Sequence, residues 1–194
     1  RSIESTVDKL YTSYLLNKNK IKCPETYIFR GQKAASRFIS NYNFKSKLIY
    51  KPLFGSQGDN IRLIERPSDL EKIENETNIY YFQEYLDNSP NYDYRVLVIN
   101  NNDNIKYFYM TRYGETFINN FSKGAKCIKE KLNEDVIELA IKSSRLLNID
   151  FCGVDIIEYK RQYYVIEVNS IPAWKGLQRV ESLNISDYIT SLFK

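Results

Sequence analysis

The chain has 194 residues, of which 43% are hydrophobic and 27% are charged, and its formal net charge is +4. This length and hydrophobic content can build one large domain or two small ones, and the mild charge with scattered Lys and Arg fits an anionic small ligand better than a nucleic-acid backbone. Histidine is absent, so His-dependent catalytic triads and His-based metal sites are excluded, and a bound metal would need oxygen ligands.

Cysteine usage and targeting signals indicate the compartment. Three widely spaced cysteines, Cys23, Cys127 and Cys152, argue against a disulfide framework and against a zinc cluster. No apolar run is long enough to cross a bilayer, and no signal peptide is visible. We therefore expect a cytoplasmic protein that does not bind membranes. Because the chain begins with Arg1 instead of Met, we also expect a fragment or a processed form.

The first half of the chain predicts alternating helices and strands. A capping-box pattern and an apolar stripe predict a helix that reaches Lys18. The residues of that pattern and stripe are Ser5, Asp8, Val7, Leu10, Tyr14 and Leu15. A strand, a helix, two paired strands around a glycine-containing loop and a helix opened by a proline follow. These elements are Thr26–Phe29, Gln32–Tyr42, Lys47–Leu53 with Asn60–Ile64, and Pro67–Asn75.

The second half predicts long strands, a helix, a hairpin and a last helix near Ser186. The strands are Ile79–Phe82, Asp93–Ile99 and Ile105–Met110, and the hairpin consists of Phe151–Tyr159 and Tyr163–Val168. Asn133 is the predicted N-cap of the helix. Its apolar positions are Val136, Leu139, Ala140, Leu146 and Leu147. Polar residues between Glu84 and Asn91 predict a boundary between two lobes.

The hairpin carries two acids that we expect to face each other. A turn around residues 160–162 places Asp155 opposite Glu167, while Asn169 shares their face and lies opposite Gly153, which leaves room for something to approach. Two carboxylates on otherwise apolar strands repel each other unless a proton or a cation lies between them. Mg²⁺ prefers such oxygen ligands. The polar, exposed side of an ordinary hairpin would give the same pattern, so both interpretations stay open at this point.

Other segments carry features of a nucleotide site. Lys51 precedes a loop whose glycines let backbone N–H groups approach phosphate oxygens. The loop residues are Gly55, Ser56, Gln57 and Gly58. Residues 83–86 end an apolar strand at the expected boundary, where an adenine could lie. Asp93, Arg95 and Arg112 add charges that suit a phosphate or an acyl-phosphate. A common hairpin loop, a core strand and paired surface charges are the alternative interpretations.

Taken in order, these segments resemble the RimK-like ATP-grasp ligases over essentially the whole chain. The matching positions are Asp8-Lys9-Leu10, Lys51 with Gly55-Ser56-Gln57-Gly58, Gln83-Glu84-Tyr85, Asp93-Tyr94-Arg95, Asn120, Gly153-Val154-Asp155 and Glu167-Val168-Asn169. The resemblance implies an α+β ATP-grasp fold whose two α+β lobes hold the nucleotide between them. Residues 1–84 would form the small lobe with its opening helix, and residues 85–194 the large lobe with the metal site. Relatives also carry a preceding α/β domain, which we expect to be missing here.

The resemblance implies ATP and Mg²⁺, or Mn²⁺ in its place, as cofactors, and it assigns their ligands. Lys9, Lys51, Gly55, Ser56, Gln57, Gly58, Gln83, Glu84, Tyr85, Leu86 and, at the ribose, Asp93 would bind ATP. Asp155, Glu167 and Asn169 would bind the metal. Arg95, Arg112 and Asn120 would act beside the transferred phosphoryl group.

Three departures from the family pattern concern substrate and nucleotide contacts. Asp59-Asn60 replaces a third loop glycine, and Ile118 stands where some relatives have Arg. The segment from Ser170 to Gln178, which contains Trp174, looks most like the branch of tetrahydromethanopterin α-L-glutamate ligases. As a departure from the family's Ser-Pro-Gly segment, Trp174 would shape a different acceptor pocket.

The resemblance implies an acid–amino-acid ligase that joins an amino acid, here glutamate, to a small-molecule carboxylate such as a pterin cofactor through an acyl-phosphate. Two alternatives stay open: a glutamate ligase that acts on a protein or peptide terminus, and a non-catalytic nucleotide-binding module. Nucleic acid is disfavoured as a partner, because no Lys and Arg stripe interleaved with aromatics occurs. Whether the protein forms a homo-oligomer stays open.

Overall fold

The structure is a computed structural model that describes residues 8–53, 59–101, 104–115 and 124–193. The chain divides into two compact units, one formed by Arg1–Cys23 with Asp87–Lys194 and the other by Pro24–Leu86. The expected division at residue 84 therefore needs correction: the opening helix belongs to the C-terminal unit, because Leu16 lies in the apolar core of that unit. No described helix is long and apolar enough to cross a membrane.

Regular elements occupy most of the described chain. In chain order they are α1 (Lys9–Lys18), β1 (Thr26–Arg30), α2 (Gln32–Asn41), β2 (Leu48–Lys51), β3 (Arg62–Ile64), a 3₁₀ helix (Pro67–Lys72), β4 (Ile79–Glu84), β5 (Tyr92–Asn101), β6 (Asn104–Tyr113), β7 (Lys126–Ile128), α3 (Glu134–Leu146), β8 (Phe151–Tyr159), β9 (Gln162–Asn169), α4 (Lys175–Gln178), α5 (Ile185–Thr190) and a second 3₁₀ helix (Ser191–Phe193).

The unit Pro24–Leu86 is an antiparallel sheet of order β1-β4-β2-β3 with α2 packed on one face. Its core joins Ala35 and Ile39 of α2 to Leu48, Tyr50 and Phe82 of the strands. Side chains alternate along each strand, so the intervening positions of β2 and β4 point to the opposite face. That face therefore carries the side chain of Lys51, the last residue of β2.

The C-terminal unit is built on an antiparallel sheet of order β7-β6-β5-β8-β9. Helix α3 packs on β5, β8 and β9, and its Val136 and Ala140 lie in one core with Val96, Val154 and Val168. On the other face, a second core covers the end of the sheet that lies under α4 and α5. Its buried residues are Leu97, Ile99, Phe108, Met110, Leu177 and Ile185. Beside this core, the same face carries Arg95 and Asp155, which pair in register.

Most predicted elements are confirmed, including the hairpin and the Asn133 N-cap, whose side chain accepts from the N–H of Asp135 at 3.0 Å. The pattern missed β7 and α4, which span only three and four residues. It also predicted a helix to Asn75 where the structure has a 3₁₀ helix that ends at Lys72. Elements this short contain too few residues to show a periodicity.

The predicted apolar stripe of α1 is confirmed at Leu15, which packs against the core, and is wrong at Tyr14. The buried residues of the helix are Thr12, Ser13 and Leu16, whereas Tyr14 is exposed and stacks on Tyr11. The hydroxyl of Ser13 donates to the carbonyl of Lys9 at 2.9 Å, so burying this side chain leaves no unsatisfied donor. Asp8 is the N-cap and accepts from two backbone N–H groups, while Ser5 and Val7 lie outside the described residues.

Candidate functional site

A row of three charged residues crosses the polar part of the large sheet. Asp155 of β8 pairs in register with Glu167 of β9, as the sequence predicts, and on its other side with Arg95 of β5. The Arg95 guanidinium donates to both carboxylate oxygens of Asp155, from Nε to Oδ1 at 2.7 Å and from Nη2 to Oδ2 at 2.6 Å. The side chain of Asp155 is 4% exposed. An arginine therefore supplies the positive charge beside this buried acid.

A second arginine, which is buried, joins two carboxylates. Arg112 of β6 lies opposite Asp93 of β5 and donates to both of its oxygens, at 2.6 and 2.7 Å. Its Nη2 also lies 3.1 Å from Oδ2 of Asp155. The Arg112 side chain is only 2% exposed, so its charge depends on these two partners. Two arginines and two aspartates thus form one charge-balanced cluster.

The two aspartates of this cluster respond oppositely to their surroundings. Burial acts to raise the pKa of Asp155, but the charges of Arg112 and Arg95 outweigh burial and hold that pKa at about 2. Burial dominates at Asp93 and raises its pKa to about 6 in spite of Arg112. For Arg112, burial disfavours the charged form, yet Asp155 and Asp93 raise its pKa overall.

The cluster changes how three predicted roles fit. Asp93 was expected to face a ribose, but it is buried and both of its oxygens accept from Arg112. Arg112 was expected beside a phosphoryl group, and it too is enclosed by its carboxylate partners. Arg95 is the more accessible arginine, with 13% of its side chain exposed. Of the two, Arg95 is therefore the better placed to contact a ligand.

Glu167 and Asn169 remain available to bind a metal ion through their side-chain oxygens. Both are partly buried, and neither side chain has a hydrogen bond or ion pair with another described residue. Asn169 pairs with Gly153, as predicted. No group of three or more His, Cys, Asp and Glu side chains that could hold a metal lies within the described ranges. Two carboxylates and one carboxamide nevertheless suit a hard cation, which takes its other ligands from phosphates and water. These residues fit such an ion.

The space above Gly153 is filled by the chain itself. A Cβ built on Gly153 would lie 2.9 Å from Cβ of Pro172. The expectation that something approaches closely at Gly153 is therefore confirmed, and the group that does so is Pro172. Trp174 packs edge-on against Phe151 as part of the apolar core, with ring centroids 5.9 Å apart. In the same segment Ile171 is 80% exposed. Ile171, which the sequence analysis did not single out, is thus more accessible than Trp174.

The smaller unit brings together two of its predicted ligands. Lys51 Nζ donates to Oε1 of Gln83 at 2.6 Å, and Gln83 is buried. The chain beyond β4 is held by backbone hydrogen bonds from the N–H of Glu84 to the carbonyl of Glu25 and from the N–H of Tyr85 to the carbonyl of Lys47. The end of β4 is thus hydrogen-bonded to the residues that directly precede β1 on one side and β2 on the other.

The positions of the remaining predicted residues add less to the description of the site. Leu86 is buried within the described chain, and Lys9 is the first residue of α1 and is partly buried. Several predicted residues lie outside the described residues: Gly55, Ser56, Gln57, Gly58 and Asn120.

Residues 6–192 match the RimK-like ATP-grasp domain, and the chain belongs to this family. Membership implies the use of ATP and a divalent metal ion. The fold agrees, since the whole chain aligns with 62% of the ATP-grasp ligase PsnB, solved with a minimal precursor, at a TM-score of 0.71 and 21% identity.

Two named relatives are similar over nearly the whole chain. The tetrahydromethanopterin:alpha-L-glutamate ligase of Methanocaldococcus jannaschii is 30% identical, with 95% of this chain and 65% of the relative aligned. The alpha-aminoadipate–LysW ligase LysX of Saccharolobus solfataricus is 29% identical, with 94% of this chain and 68% of the relative aligned. The chain thus spans about two-thirds of the length of such relatives.

Proposed function

We propose that this chain is the ATP-binding and catalytic part of a carboxylate–amine ligase, which forms an amide through an acyl-phosphate. The observation that carries the proposal is the arrangement of Asp155, Glu167 and Asn169 on one sheet face beside Arg95, in a chain of the RimK-like ATP-grasp family. Oxygen ligands beside an accessible guanidinium suit metal-assisted phosphoryl transfer. Within the described part of the chain, the Glu167 and Asn169 side chains have no hydrogen bond or ion pair, so their oxygens can bind a cation.

We assign the following roles to the chain's own residues. Glu167 and Asn169 would hold the cation together with Asp155, whose oxygens keep lone pairs that the arginines leave unused. The bound ion, Mg²⁺ or Mn²⁺, neutralises phosphate charge. Arg95 stabilises the transferred phosphoryl group. Lys9 and Lys51 contact ATP phosphates, and the backbone at Glu84 and Tyr85 lines the adenine. Asp93 and Arg112 hold Asp155 in place.

For the substrates we propose glutamate and a small-molecule carboxylate such as a pterin cofactor. This assignment rests on the name of the relative that is 30% identical. A protein or peptide acceptor is the alternative, since another relative is named for the ligation of α-aminoadipate and LysW. A cytoplasmic location remains part of the same proposal.

The substitution Glu167→Gln tests the metal assignment. We expect it to lower ADP release and amide formation more than about 100-fold, because an amide is a much weaker metal ligand than a carboxylate. The fold should be retained, since Glu167 has no described partner to lose. Glu158→Gln is the matched control: Glu158 lies on the same hairpin but accepts from Tyr92 and Tyr94, which belong to the opposite face, and activity should be retained.

The assay should pair glutamate with pterin and peptide carboxylates and identify each product by mass spectrometry. ATP with Mg²⁺ should also raise the melting temperature of the wild-type protein by mass action. Wild-type turnover in Glu167→Gln would refute the metal assignment. ATP-induced stabilisation without any amide product would favour a non-catalytic module instead.

A further inference from the structure

In the row Arg95–Asp155–Glu167, the same carboxylate faces an arginine and a second acid. Asp155 is the central member, with a cation on the β5 side and an uncompensated acid on the β9 side. Arg95 already donates to both Asp155 oxygens. A metal ion bound between Asp155 and Glu167 must therefore share Asp155 with Arg95 or displace it.

The two arginines of the cluster are anchored differently. Arg112 donates to both oxygens of Asp93 in addition to its contact with Asp155, and its side chain is 2% exposed. Among the described residues, Arg95 has hydrogen bonds to Asp155 only, and its side chain is 13% exposed. Losing Asp155 would thus leave Arg95 free to turn outward, whereas Arg112 would still be held by Asp93.

We infer that Arg95 is an exchangeable counter-ion of Asp155: it neutralises the acid when no metal is bound, and it is released toward the substrate phosphoryl group when a divalent cation takes its place. This inference rests on the proposed function. Arg112 is a positioning residue in this scheme, because it keeps Asp155 in register while Arg95 moves.

Charge balance supports the exchange. Without a metal, the two aspartates and two arginines of the cluster are neutral together, and Arg95 satisfies a carboxylate that burial would otherwise penalise. Once a dication is bound, Asp155 no longer needs the positive charge of Arg95. The guanidinium groups of Arg95 and Arg112 would then both repel the dication. The phosphates of ATP bring the negative charge that Arg95 then requires. Metal and nucleotide binding should therefore support each other.

Nuclear magnetic resonance of the arginine Nε–H groups tests the exchange within one sample. The Nε–H of Arg95 is bonded to Asp155 and that of Arg112 to Asp93, so the second signal is an internal control. Adding MgCl₂ with a non-hydrolysable ATP analogue should shift the Arg95 signal away from its metal-free position, because a phosphate replaces Asp155 as its partner, and should leave the Arg112 signal in place. The variant Arg95→Lys assigns the Arg95 signal by its disappearance.

Calorimetry with Mn²⁺ alone provides a second readout. Arg95→Gln and Arg95→Lys should each bind Mn²⁺ roughly ten-fold or more tightly than wild type, since both lose the bidentate contact with Asp155. If only the long-range charge of Arg95 mattered, the Lys variant would match wild type, and the exchange would be overturned. An unmoved Arg95 signal at calorimetric saturation would also overturn it while leaving the proposed function intact. Absence of any metal or nucleotide binding would refute both.

Discussion

The substitution Gly153→Ala tests how tightly the chain after β9 is packed on the polar face. The added Cβ would lie 2.9 Å from Cβ and 3.7 Å from Cγ of Pro172. Apolar carbons rest about 3.5–4.0 Å apart, so Pro172 or the strand has to move. Such overpacking costs about 1–3 kcal/mol, while replacing a strand glycine regains about 0.5–1 kcal/mol of backbone entropy. We expect a net loss of about 1–2 kcal/mol in the free energy of unfolding.

Urea unfolding followed by tryptophan fluorescence can measure this loss in the relevant unit. Trp174 is the only tryptophan of the chain, and it packs beside Phe151 two residues after Pro172. The double variant with Pro172→Gly is the control, because it removes the atom that the new methyl group meets. Gly153→Ala should then cost nothing or stabilise slightly in the Pro172→Gly background. An equal loss in both backgrounds would refute the packing argument.

Two further predictions concern the ion cluster. Burial raises the pKa of Asp93 to about 6, whereas the unfolded value is about 4. Between these values the native protein keeps a proton that the unfolded chain releases. The free energy of unfolding should therefore fall, by up to about 2 kcal/mol, as the pH rises from 4 to 6. Asp93→Asn should remove this component in urea titrations, and parallel wild-type and variant profiles would contradict it. Arg112→Gln should lower the free energy of unfolding by about 3–5 kcal/mol, because two buried carboxylates lose a partner. Arg95→Gln should cost less, since Asp155 keeps Arg112; equal losses would be the contrary result.

Local sequence predicted the long elements because their periodicity is strong. The alternation across β8 and β9 is enough to pair Asp155 with Glu167 and Gly153 with Asn169, although an irregularity interrupts the ladder between Asp155 and Ile156. Helix α3 is equally clear, with an asparagine cap and apolar residues at helical spacing. In α1 the buried face was predicted only in part, because buried Thr12 and Ser13 carry no hydrophobic signal while an exposed tyrosine does.

Contacts between strands that are far apart in the sequence could not be predicted from the sequence alone. Arg95 and Asp155 are 60 residues apart, and Arg112 reaches Asp93 from another strand. The residues themselves were singled out, yet nothing in their spacing indicated that β5 lies between β6 and β8. Strand order is set by the whole sheet, so a single sequence can name the charged residues of a site without pairing them.

The facing acids of the hairpin have a source of positive charge that the hairpin sequence does not reveal. Two facing carboxylates on apolar strands need a compensating charge, and within the hairpin alone only a proton or a bound cation could supply it. The sheet offers a third source, because every inner strand has two neighbours and Asp155 has Arg95 on its other side. A paired acid on an inner strand therefore predicts a metal only after the opposite neighbour is known. Here Glu167, on the edge strand β9 and without a described partner, is the acid that still requires a cation.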